Sequence, residues 1–222
     1  MVGRIWLLSD PRDDRFASAV RIGTWEKKDG KDVRVSPLVL EWERGSYVVP
    51  DFLWPSFEGD VAVQERVFRE LRDRFGGIDG GPVEIIPPKW KRRKRKTSED
   101  DSLTIWSKDL HLVDVRIVHD VDIDWERSCI KRIHQDGKVL LEVEGGERTE
   151  VIIEPEIPAF ATRRIARAKG GGIFVKASLL QEHWFFKVNQ FPVWNLCADS
   201  VRDFMLEKRY TNIDFFEVGE LF

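Results

Sequence analysis

Short apolar runs broken by polar turns fill the first third of the chain. RIWLL (4–8) and VRVSPLVLEW (33–42) are rich in β-branched and aromatic residues, and KKDGKD (27–32) between them carries an Asp-Gly turn signal, so strands are expected. The Pro- and Gly-interrupted connector DFLWPSFEGD (51–60) leads into VAVQERVFRELRDRF (61–75). There the period changes: Val63, Val67, Phe68, Leu71 and Phe75 fall on one helical face, which predicts a helix with Asp60 as N-cap and Gly76 as stop. VEII (83–86) reads as a short strand closed by Pro87-Pro88.

A second patterned region opens with LTIWSKDLHLVDVRIVHDVDID (103–124). KVLLEVEGGERTEVIIE (138–154) reads as a hairpin around Gly145-Gly146, and PAFATRRIARAKGGG (158–172) as a short helix begun by Pro158. WFFKV (184–188) and IDFFEV (213–218) are expected strands. Between them lies SVRDFMLEKR (200–209), an expected helix with Ser200 and Asp203 in a capping box. The pattern predicts an α+β protein of mixed or antiparallel sheets with a few short helices. Residues 63–85 and 197–218 both run helix, turn, strand, with Val67 and Leu71 answering Val201 and Met205, and Ile78-Asp79 answering Ile213-Asp214. A duplicated helix–strand unit is one reading of that likeness; the amphipathic pattern common to all such pairs is the other.

Charge divides the chain where the pattern lapses. Seven Lys or Arg crowd residues 89–96, followed by Glu99, Asp100 and Asp101, so three regions are expected: 1–88, a charged divider at 89–101, and 102–222. The net charge is −3, but setting those seven cations aside leaves 29 basic residues against 39 acidic ones, a balance of −10. An acidic body repels phosphate backbones and steers basic proteins toward itself. Lys89, Trp90, Lys91, Arg92, Arg93, Lys94, Arg95 and Lys96 could neutralise phosphates and stack one base, a nucleic-acid contact that stands as the alternative to a solvated divider.

Other chemistry is sparse. His111, His119, His134 and His183 show no metal-ligand spacing and read as scattered surface or hydrogen-bonded groups. HDVDIDWERS (119–128) copies the first three positions of a calcium loop with Asp120, Asp122 and Asp124, but Trp125 stands where the loop needs Gly and Lys131 where it needs Glu. Alternation instead puts the three carboxylates on one face of an extended segment, with Val121 and Ile123 on the other. GGIDGG (76–81) and GGG (170–172) lack the context of a phosphate-binding loop and read as turns. No nucleophile motif or cofactor motif appears, so no enzyme, metal or cofactor is expected. Cys129 and Cys197, the lack of a secretory signal and the lack of any run near the roughly 20 apolar residues of a membrane span point to reduced thiols in a cytoplasmic protein.

VDIDWERSCI (121–130), the stretch WFFKVNQFPVWNLCADSVRDFMLEKRYTNIDFFEV (184–218) and the Phe-rich ending resemble a bacterial immunity domain, class eleven of the polymorphic-toxin immunity proteins. The resemblance covers roughly residues 105–220 and rests on Asp124, Ser128, Asp199, Ser200, Thr211, Ile213 and Phe215, while Asn212 stands where the family pattern has Gly. It implies a cytoplasmic antitoxin that docks on a cognate toxin domain and covers its active site or locks its conformation. An acidic, Trp-rich body suits a basic toxin such as a nuclease. The residues expected to bind it are Asp120, Asp122, Asp124, Trp125 and Glu126, an acidic edge beside an aromatic anchor.

Overall fold

The computed structural model describes residues 3–11, 13–22, 26–28, 31–33, 36–42, 48–55, 59–86, 111–124, 126–128, 130–135, 138–143, 151–154 and 172–222. Strand β1 (Gly3–Ser9) carries the first apolar run and pairs antiparallel on both sides with strands from the far end of the sequence, β16 (Phe191–Ala198) and β17 (Asp214–Leu221). With β10 (Asp120–Val121), β14 (Ile173–Val175) and β15 (Phe185–Val188) they form a six-stranded sheet ordered β10-β15-β16-β1-β17-β14.

The second sheet is built from β2 (Ala19–Arg21), β5 (Leu38–Trp42), β6 (Phe52–Leu53), β7 (Val61–Gln64), β8 (Ile78–Ile86) and β9 (Leu112–Ile117), in the order β2-β5-β8-β9-β7-β6. Smaller pairings complete the described chain. β3 (Glu26–Lys28) pairs antiparallel with β4 (Lys31–Val33), and β11 (Ile130–Gln135), β12 (Lys138–Val143) and β13 (Val151–Glu154) form an antiparallel three-stranded sheet.

Strand directions follow one another in the same way through five strands of each large sheet. β5 lies parallel to β8, which pairs antiparallel with β9, then β7, then β6; β14 lies parallel to β17, which pairs antiparallel with β1, then β16, then β15. A helix follows the corresponding strand in each: α1 (Glu65–Phe75) after β7 and α2 (Asp199–Lys208) after β16. The architecture is α+β, and among the described residues it is dominated by two mixed sheets with two α-helices.

Helix α1 buries Val67, Phe68, Leu71 and Phe75, the predicted face. It starts four residues later than its periodicity implies, because Val61, Ala62 and Val63 pair with β9 and β6 and tertiary pairing overrides local preference. Asp60 accordingly is no cap; it is buried and its Oδ2 accepts a hydrogen bond from Arg21 Nη1 at 2.7 Å. The capping box expected in α2 is likewise replaced. Ala198 is the N-cap, and Asp199 in the first turn accepts from the Arg4 amide at 2.8 Å and from Trp6 Nε1 at 2.7 Å, tying α2 to β1.

Glycines of 76–81 divide their roles. Gly76 and Gly77, at φ 61° and 76°, make the expected turn, whereas Gly80 and Gly81 lie inside β8. A Cβ at Gly80 would stand 2.6 Å from Phe68 Cζ, so the bare backbone there seats the α1 aromatic. The single strand expected over 33–42 is interrupted ahead of Leu38, with Ser36–Pro37 a cis peptide. The helix expected over 158–172 lies, except for Gly172, outside the described residues.

The two helices meet over a core shared by both sheets: Trp6, Leu8, Phe185, Cys197, Val201 and Met205 pack with Phe52, Val63, Val67, Leu71 and Phe75. Phe75 and Phe204 pack edge to face at 5.3 Å between centroids. A gap of ≈ 20 Å³ remains in this core, lined by Leu8, Phe52, Val63, Phe185 and others; its apolar walls make it a packing gap, room for about one water at most. Burial pushes the Cys197 thiol above its ordinary range, and nearby Asp199 adds to the shift, so the thiol is an inert core group.

Glu70 on α1 holds the end of α2, accepting from Lys208 Nζ at 2.8 Å and from the Tyr210 hydroxyl at 3.0 Å. Lys208 first and Tyr210 second hold its carboxyl below the usual range, while burial first and this hydrogen bond second push the Tyr210 phenol up. A raised phenol adds stability that is complete below the ordinary value of about 10 and is lost as pH rises through the folded value. Alkaline titration followed by tyrosinate absorbance should therefore show a phase above the ordinary range that Tyr210→Phe removes. Loss of an ordinary phase instead would place Tyr210 in water.

Candidate partner-binding face

One edge of the first sheet gathers most of the exposed groups of interest. Leaving β9, the chain gives the Val118 amide to Gly77 O at 3.0 Å, and His119 O accepts from the Lys187 amide at 2.8 Å. β10 then runs parallel to β15, with Asp120 opposite Lys187 and Val121 opposite Val188. Val121 and Ile123 enter the core while Asp120 and Asp122 stay exposed, the alternation read from the sequence.

The three aspartates nevertheless have different surroundings. Asp122 Oδ1 accepts from Asn189 Nδ2 at 2.8 Å and from Gln190 Nε2 at 3.4 Å, fastening β10 to the β15–β16 turn. Asp124 is half-buried and turned inward: its Oδ1 accepts from the Glu126 and Arg127 amides, each at 3.0 Å, and its carbonyl from the Ser128 amide at 2.9 Å. Ser128 Oγ in turn accepts from the Phe174 amide at 2.9 Å. Asp124 and Ser128 thus shape a turn and dock it on β14. Glu126 is exposed; Trp125 lies outside the described residues, as do Lys89, Trp90, Lys91, Arg92, Arg93, Lys94, Arg95, Lys96 and the whole stretch 87–110.

What the sequence did not reveal lies beside Asp120. A 3-10 turn (Ala177–Leu179) leads to a β-turn closed by the His183 amide donating to Leu180 O at 2.7 Å. The two central residues are Gln181 and Glu182, at φ 47° and 69°. Turns with both central φ positive favour Asn-Gly; side chains there cost roughly 1–2 kcal/mol per residue.

His183 follows, its ring 4.8 Å from that of His119 between centroids, and His119 Nε2 donates to Leu179 O at 2.9 Å. The two imidazoles, expected to be scattered, are therefore neighbours. Three large apolar residues in these segments remain exposed: Val118 at 60%, Leu179 at 41% and Trp184 at 36%. Isolated exposed apolar groups are ordinary, but grouped ones mark interaction surfaces.

The remaining positions of the family resemblance are structural. Asp51 Oδ2 accepts from the Thr211 amide at 2.9 Å and its hydroxyl at 3.1 Å, and the Asp51 amide donates back to Thr211 Oγ1 at 2.9 Å. Asn212, at φ 59°, donates from Nδ2 to Phe52 O and accepts Trp54 Nε1 on its carbonyl. Ile213 and Phe215 pack on the shared core, Asp199 holds β1, and Ser200 is exposed. Among the described residues no group of three or more His, Cys, Asp or Glu could hold a metal ion, and no helix is long and apolar enough to cross a membrane. No family model and no curated protein matches this chain.

Proposed function

We propose that this protein is a bacterial immunity protein that neutralises a cognate toxin domain by binding it directly. The reading carries over the resemblance borne by residues 105–220. The observation that supports it most is the exposure of Val118, Leu179 and Trp184 in segments adjoining the His119–His183 pair, on the sheet edge whose β10 carries the exposed Asp120 and leads to Asp122. Protein interfaces combine a buried aromatic or aliphatic centre with a charged rim, and a carboxylate rim speeds association with a basic partner. The partner is read as a basic, nuclease-like domain, met in the cytoplasm, and inhibition needs no turnover by this chain.

The matching strand order of the two large sheets supports a further reading, that β5-β6-β7-α1-β8 and β14-β15-β16-α2-β17 are copies of one duplicated unit. The binding edge then belongs to the second copy, where β15 takes the place of the two-residue β6.

Co-expression tests the function. Cells producing the cognate toxin domain, sought among the genes that flank this one, should survive when this protein is present and die without it. Equal killing in both strains would reject the assignment.

A further inference from the structure

We draw no further inference here: the strongest candidate, the side-chain cluster of His119 and His183 where the chain enters β10 and β15, is a pair of rings 4.8 Å apart between centroids with no third metal-binding side chain to complete a site among the described residues, and nothing in the structure shows what would bind there.

Discussion

Gly77→Ala is expected to leave the protein unfolded or nearly so. Gly77 sits at φ 76° where the turn after α1 passes the start of β15, and an added Cβ would lie 2.2 Å from the Phe185 carbonyl oxygen and 3.2 Å from His183 Cβ. The oxygen belongs to backbone, so no side-chain rotation relieves the overlap. The left-handed conformation adds its own penalty for any residue with a Cβ. Together these should cost upward of about 4 kcal/mol, a large part of the roughly 5–15 kcal/mol that holds a domain together. Gly3→Ala is the matched control. Its Cβ would meet nothing nearer than Leu221 Cδ1 at 3.4 Å, ordinary van der Waals contact. Thermal unfolding of the two variants should therefore differ sharply; similar melting would show that the Gly77 turn is less constrained than its geometry requires.

Asp51→Ala should also be strongly destabilising, because it cuts a polar junction between the two large sheets. Asp51 is buried at 5% exposure and joins the start of β6 to the turn after α2, accepting from the Thr211 amide and hydroxyl on one oxygen and from Arg66 Nη2 on the other. Truncation strands the Thr211 amide in a part-buried site and removes the partner of Arg66. Arg66 is 55% exposed and recovers solvation, so the loss stays below that of a fully buried pair. A cost of about 3 kcal/mol is expected, or a fall in melting temperature of roughly 6–12 °C for a chain this long. Asp51→Asn, which keeps an acceptor for Thr211, should lose less. Equal loss in both variants would assign the effect to the Arg66 charge pair instead.

Local pattern carried the sequence reading as far as local physics extends. The buried face of α1 followed from apolar spacing, and the inward Val121 and Ile123 from alternation, because each needs only one element and one core. Asn212 has a positive φ, a conformation that Asn adopts more readily than most residues with a side chain. Partner choice was not legible in the same way: nothing within RIWLL says that Ile5 pairs with Ala198 and Gly219. The start of α1 was misplaced for that reason, since Val61–Gln64 became a strand only by virtue of β9 and β6.

Glycine misled at Gly80 and Gly81, which lie inside β8, the first seating Phe68, instead of making a turn. The edge proposed to bind was half legible. Asp120 and Asp122 were found by alternation, but Asp124 was read as one of a uniform row although it caps the turn that follows. The Gln181–Glu182 turn was invisible because it contains no Gly, Asn or Pro, the residues by which such turns are recognised. His119 and His183 meet only through the pairing of β10 with β15, so no spacing along the chain could join them.

Direct binding tests the central claim. The cognate toxin domain of the proposed function would be titrated into the purified protein, at low and at moderate salt, alongside the variant Asp120→Lys/Glu126→Lys. Both positions are exposed, so the fold should survive the change. The account predicts a one-to-one complex that weakens as salt is added and forms more slowly with the variant. No complex at either salt concentration, or a complex indifferent to both salt and charge reversal, would contradict it.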